Sequence, residues 1–424
     1  MKPKFCPFPV ALILTYLLFT PLQALEVGAA AVKIDLPNNS LYLAGFSPNR
    51  RSRGVHDPLW ARTILFSKNE YTFVLCVVDC IGLLHFDTWD IRFQIEKELG
   101  IPAYGIVIAS THTHSAPDTI GIWGKPPWKS GKNPLFVQNL KKAALQSIRL
   151  AFYNRKKAKL KFGQVSVDSV LKDSRPPVIT DSTLSTIQAL DQQRRPIAIL
   201  VNYSMHPEVL SSKNTLISSD YAHYLREYLE KNNAGIAIFC VGSIGGMQTP
   251  RVKSSTFQEA KRVGRTLAKA ALTSLEKSPF QKIHSIRIFT QRVHLFMSNF
   301  QFILAYHLGL FGQSTKQKLR KYSQKTWLPY VPADVSLIRL GNLQILTIPG
   351  ELFPELGHAW MAKLTSPHRF IIGLANNELG YIIPPKQWTF GAYEETMSIG
   401  IRTAPKLEKA IFSLIQQLNS QKKE

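Results

Sequence analysis

Phe73-Val-Leu-Cys-Val-Val-Asp-Cys-Ile81, Asp87-Thr-Trp-Asp-Ile-Arg-Phe-Gln-Ile-Glu-Lys-Glu-Leu99 and Tyr104-Gly-Ile-Val-Ile-Ala109 follow one another with only short breaks between them. The first and third are apolar runs of strand length, while the second opens on N-capping residues and keeps a helical period. Gly100-Ile-Pro102 stops that helix. Strand, helix and strand in this order predict a βαβ unit. The alternation continues outward. A second helix is expected from Asn133 as cap and Pro134 at its first position, with Leu135, Phe136, Leu140, Leu145 and Ile148 on its apolar side. Strands are expected over 161–167, 184–190, 196–203, 236–241, 334–340, 343–348 and 370–374, with an Ala-rich helix over 256–275. No internal repeat is present. The expected fold class is α/β, a mixed β-sheet core flanked by helices in a single large domain.

Composition agrees with this. Of 424 residues, 45% are apolar and 19% charged, with 24 Gly and 26 Pro, which excludes a disordered chain or a disulfide-stapled miniprotein. Lys2 and Lys4 precede the apolar run 10–19, and Pro21-Leu-Gln-Ala24 follows it, so residues 1–24 have the parts of a secretory signal. The competing reading is an N-terminal membrane anchor, for which a run of ten residues is short. With the signal removed, the protein is expected to be exported, to the periplasm or outside the cell. Cys76, Cys80 and Cys240 then remain. Cys76 and Cys80 share one strand, where positions four apart stand about 13 Å from each other, too far to bridge. All three are expected to be free, buried thiols.

The 52 Lys and Arg against 28 Asp and Glu give a net charge of +24. Such a balance suits nucleic acid, an anionic membrane surface or a general basic bias. No nucleic-acid recognition motif accompanies it, so nucleic acid is not an expected partner. The stretch Ser298–Phe311 is apolar, and 315–325 is strongly basic. Two readings stand: a helical excursion covering the core, which is preferred, or a membrane-facing lid at an anionic interface.

Residues fit for chemistry sit where predicted strands end, the place where open α/β sheets bind ligands. Ser110-Thr-His-Thr-His-Ser115 follows the strand ending at Ala109, and if that strand continues, His112 and His114 share one face. His206, in Tyr203-Ser-Met-His206, follows another. Glu351 comes after a strand and a Pro-Gly turn, where it is either a ligand or a helix-terminus charge. Gly373-Leu-Ala-Asn-Asn-Glu-Leu-Gly-Tyr-Ile382 and Tyr393-Glu-Glu395 complete the set. Zinc takes three or four N and O ligands from separated segments, which makes the histidines and the carboxylate a plausible metal group.

Gly54-Val-His-Asp-Pro-Leu-Trp-Ala-Arg62, Thr111-His-Thr-His-Ser115, Asn202-Tyr-Ser-Met-His206, Pro349-Gly-Glu351 and Gly380-Tyr-Ile382 with Tyr393-Glu-Glu395 together resemble the neutral, non-lysosomal ceramidase family, in the family's order and across nearly all of the chain after Val27. The resemblance implies a zinc ion held by His112, His206, Glu351 and Tyr381, with His114 handling protons at the amide. It also implies substrate binding by Tyr393 and an active-site role for Arg175. The implied activity is hydrolysis of the N-acyl amide of ceramide or a related N-acylated lipid, with peripheral contact to anionic membrane. Oligomeric state is not implied. Two departures bear on substrate. The family's serine lies in a Gly-Asp-x-Ser-Pro-Asn stretch, whereas this chain has Gly242-Ser-Ile-Gly-Gly-Met-Gln-Thr-Pro250, with Gln248 or Thr249 near the serine's place and Gly246 in place of the Asp. The second is the expectation of a catalytic domain over 25–424 without the immunoglobulin-like domain of the family's long members. A zinc hydrolase of a non-lipid amide or ester, and a binding protein that keeps the fold without turnover, therefore stand as alternatives.

Overall fold

The computed structural model describes residues 24–324 and 327–420, so the signal expected over 1–24 lies outside it except for Ala24. The larger sheet contains β1 (Glu26–Lys33), β2 (Trp60–Lys68), β3 (Tyr71–Val78), β4 (Ile106–Ser110), β5 (Lys156–Ser166), β6 (Thr183–Asp191), β7 (Pro196–Tyr203) and β8 (Ile236–Val241), in the order β8-β7-β6-β5-β1-β2-β3-β4. The short strand Phe280–Gln281 adds to β5. Its middle is antiparallel and both its ends are parallel. At one end α1 (His85–Leu99) crosses from β3 to β4, which is the predicted βαβ unit. At the other, β7 runs parallel to β8. The helices α2 (Pro134–Tyr153), α3 (Tyr221–Lys231) and α4 (Phe257–Glu276) pack with α1 on the outer face. Asn133 caps α2 as expected, its Oδ1 accepting from Phe136 N at 3.0 Å.

Period-two alternation explains why β3 reads as an uninterrupted apolar run. Val74, Cys76 and Val78 face the helices, and Phe73, Leu75 and Val77 face a second sheet, so both sides of the strand are buried. Cys76, Cys80 and Cys240 are all free, and burial pushes each thiol up to about 12. The second sheet is β9 (Ile286–Phe296), β10 (Tyr330–Leu340), β11 (Leu343–Thr347) and β12 (His368–Ile372), with β11 and β12 parallel. One core lies between the two sheets, for example Leu75, Val107, Leu200 and Ile238 against Ile338, Ile345 and Phe370. Around the second sheet pack α5 (Phe300–Leu308), α6 (Gln313–Tyr322), α7 (Pro354–Met361), α8 (Tyr393–Thr396) and α9 (Thr403–Ser420). The mixed-sheet α/β expectation holds in a single domain.

The sheets are stitched together where the parallel strands end. Asn376 N donates to Ile108 O at 2.7 Å and its Oδ1 accepts from Ile108 N at 2.9 Å. Asn202 Nδ2 donates to Ile371 O at 2.9 Å, and Gly373 N to Val241 O at 2.9 Å. The C-terminal ends of β4, β7, β8, β11 and β12 thus converge on one region.

Candidate active site

His112 and His114 come together for a reason other than the predicted one. Strand β4 stops at Ser110, and His112 takes a φ of 63°, in the left-handed region that ends an extended run. The two side chains therefore do not share a strand face; the kink itself turns their rings to 4.9 Å between centroids. His206 arrives from the end of β7, with its ring 5.1 Å from His112 and 5.6 Å from His114. All three are buried. Glu351 is placed by a two-residue parallel pairing, Glu351–Leu352 with Tyr381–Ile382, in which Glu351 is the register partner of Tyr381. Leu352 is followed by Phe353 and then α7, so the carboxylate sits on a short strand and not at a helix entry.

Hydrogen bonds fix which nitrogens face inward. His112 Nδ1 lies 2.6 Å from Ile81 O, and His206 Nδ1 lies 2.8 Å from Gln248 O. A carbonyl can only accept, so both Nδ1 atoms carry hydrogen and both Nε2 atoms of the neutral rings present lone pairs. Those Nε2 atoms stand 3.4 Å and 3.0 Å from the same Glu351 Oε2. Two lone pairs aimed at a carboxylate oxygen repel it unless a positive charge lies among them. In the metal-free protein that charge is a proton. Burial opposes charge on His206, yet the Glu351 hydrogen bond and field outweigh it and carry the imidazole up to about 9. Burial likewise opposes charge on Glu351, and His112 and His206 nonetheless hold it well below the carboxylate range. A divalent cation answers the same need, and backbone-fixed imidazole tautomers of this kind are the usual support of metal-bound histidines.

His114 differs from its neighbours. Neither of its ring nitrogens has a hydrogen-bond partner among the described residues, and Glu208 Oε2 is 3.5 Å from Nδ1. Burial, followed by the neighbouring His112 and His206, holds its pKa well below the ordinary value, so the ring is a neutral base at pH 7. Tyr381 is buried beside the cluster, its hydroxyl 3.8 Å from Met247 Sδ, and its ring stands 6.0 Å from that of half-exposed Tyr393. Arg175 is not brought into the cluster. It pairs with Glu394 and Glu395, each at 2.8 Å, and donates to Gln387 O at 2.8 Å. It therefore anchors α8, which carries Tyr393.

The Gly242–Pro250 segment brings a thioether to Tyr381. Ser243 lies against Gly357 of α7, Thr249 sits in a small antiparallel pairing opposite Lys172, and the Gln248 side chain bonds Ile179 O and Asp181 N. Gln248 serves through its backbone carbonyl, which accepts from both the backbone N and Nδ1 of His206. Two carboxylates beyond the expected set reach the site: Glu208, beside His114, and Glu378, inside the Gly373–Ile382 stretch, which nothing in the local pattern marked.

His112, His114, Glu351 and Tyr381 line a largely apolar pocket whose other walls include Phe86, Ile122, Trp123, Phe302, Phe311 and Leu319. The segment from Ser298 therefore does more than cover the core, since α5 and α6 contribute the pocket wall. No protein-family model matches the chain, and no curated protein matches it in sequence. Solved structures do match. The neutral ceramidase from Pseudomonas aeruginosa has a TM-score of 0.76 at 15% identity, over 94% of this chain and 75% of that one. A structure described as ceramidase complexed with C2 has a TM-score of 0.78 at 15% identity, over 94% and 76%. At this identity the likeness is one of fold, and at that level the resemblance read from five short motifs is borne out.

Proposed function

We propose that this protein, which shares the ceramidase fold, is a zinc-dependent hydrolase that cleaves the N-acyl amide of ceramide or a related N-acylated lipid. The observation that carries this reading is the meeting of a buried His and Glu cluster with a largely apolar pocket. His112, His206, Glu351 and Tyr381 would hold the metal. When bound, zinc supplies Lewis acidity toward a carbonyl and lowers the pKa of a water toward 7. His114, neutral and with neither ring nitrogen hydrogen-bonded among the described residues, is suited to take a proton and return it to the leaving amine. The Tyr393 hydroxyl at the pocket border can donate to the carbonyl oxygen, and Arg175 positions it by holding α8. The apolar walls accept an acyl chain and exclude water. A non-lipid amide or ester is the second reading, favoured by the Gly242–Pro250 stretch, which departs from the family's serine segment and brings Met247 to Tyr381. A substrate series separates them. N-acylsphingosines of increasing chain length should show kcat/KM rising with length, whereas faster turnover of short amides or esters would overturn the lipid assignment.

The route of a lipid to the pocket follows from its rim. Phe300, Leu304 and Leu308 lie four apart on the outer face of α5 and are exposed, as are Trp128, Trp327 and Phe390. Asn299 ties this helix to α8 through Thr396 O at 2.9 Å, and Ser130 ties the Trp128 loop to Leu310 O at 2.6 Å. Arg320 and Lys321 stand exposed on α6. An apolar ridge beside cations matches an anionic bilayer. Among the described residues no helix is long and apolar enough to cross a membrane, so the contact proposed is peripheral. Co-sedimentation with vesicles containing anionic lipid should be salt-sensitive, and Phe300→Ser with Leu304→Ser should weaken it about tenfold or more. Binding indifferent to lipid charge would refute the rim's role.

A further inference from the structure

We propose that Glu378 is a metal-facing carboxylate of this site, a ligand additional to His112, His206, Glu351 and Tyr381. The proposal rests on the reading above that a divalent cation occupies the cluster. One Glu378 oxygen, Oε1, accepts from Gly380 N at 2.8 Å. The other, Oε2, is shut off from solvent and has no hydrogen-bond partner among the described residues, although the residue as a whole borders the pocket. A carboxylate oxygen of Glu378, one of Glu351 and a ring nitrogen of His112 all lie within 4.8 Å of one another.

The position is built, not incidental. A Cβ on Gly82 would stand 2.7 Å from Glu378 Cγ and 2.9 Å from its Oε2, so the side chain fits only because residue 82 is glycine. Gly82 follows Ile81, whose carbonyl fixes the His112 tautomer. One turn after β3 thus orients an imidazole and admits a second carboxylate beside it. Among the described residues no Lys or Arg pairs with Glu351 or Glu378; the ion partners of Glu351 are His112 and His206. Two ionised carboxylates in a desolvated pocket without Lys or Arg are unfavourable: His206 balances Glu351 in the metal-free protein, and the second carboxylate needs a proton or a cation. A divalent ion balances both charges. Two imidazoles with two carboxylates form a donor set suited to Zn²⁺ and tolerant of Mn²⁺.

Zinc affinity of the full chain, measured by competition with a chromophoric chelator, tests this, alongside the rise in Tm on adding zinc. Glu378→Gln keeps the shape and removes the charge. It should weaken zinc binding about 10- to 100-fold or more, with a smaller metal-induced Tm rise. Wild-type zinc affinity in Glu378→Gln would overturn the inference while leaving the zinc reading intact. A wild-type protein that binds no divalent cation would instead remove the reading beneath it, and the inference with it. If Glu378→Gln fails to fold, Gly82→Ala decides. It leaves every ligand chemically present, and the three atoms nearest its added Cβ all belong to Glu378, so weakened zinc binding supports the assignment and unchanged binding contradicts it.

Discussion

Glu351→Gln is expected to strip the protein of its metal and lower amide hydrolysis by about 10³-fold or more, the rate equivalent of losing several kcal/mol of Lewis-acid stabilisation. The reason is geometric. Glu351 Oε2 is the one oxygen faced by both His112 Nε2 and His206 Nε2, at 3.4 Å and 3.0 Å. The neutral amide keeps the volume and removes the charge that draws a cation between the rings. Metal content and kcat/KM should fall together, with the fold kept. Retention of stoichiometric metal by Glu351→Gln would mean that the cation sits elsewhere.

The largest expected effect on stability lies away from the chemistry. Asp334→Asn should cost about 3–5 kcal/mol, because it leaves a buried guanidinium without its partner. Asp334 Oδ2 is 2.7 Å from Arg92 Nη1, and the two side chains are 2% and 1% exposed. Arg292 bonds the same carboxylate at 2.8 Å and 3.0 Å. The pair joins α1 to β10, and so the βαβ unit to the second sheet. Burial raises the Asp334 pKa, but the Arg292 hydrogen bond and the nearby Arg92 charge outweigh it and hold the carboxyl at about 2. Because the folded value lies below the unfolded one, near 3.9, this contribution is complete above about pH 4 and fades as pH falls through about 2. Denaturant unfolding at neutral pH should show the loss, and the variant's acid sensitivity over that window should flatten. A cost under about 1 kcal/mol would show that Arg92 finds another partner.

What was legible in the sequence follows from which forces were local. The runs at 73–78, 196–203 and 236–241 fold as strands because both their faces are buried, and that leaves a continuous apolar record. Strand β1, Glu26-Val-Gly-Ala-Ala-Ala-Val-Lys33, left none. Its small residues carry weak strand preference and serve close packing instead: a Cβ on Gly28 would stand 1.8 Å from Ala151 O of α2. The site divides in the same way. His112, His114 and His206 stood out because polar rings after buried strands need a use. Their convergence did not, since it depends on a left-handed His112 in place of a continued strand. Glu351 and Tyr381 are adjacent through a parallel pairing across thirty positions of chain, which no local pattern records. Glu378 was hidden for a related reason, because what marks it is the absent side chain of Gly82, nearly three hundred residues earlier.

On the proposed function, a metal-loaded cluster lining an apolar pocket cleaves an N-acyl lipid amide. Release of fatty acid from labelled ceramide, followed as zinc is titrated into chelator-treated full-length protein, tests it most directly. No release is expected without metal, with activity rising to a plateau at about one zinc per chain. Undiminished release from the metal-free protein, or an intact substrate at full zinc occupancy, would contradict it.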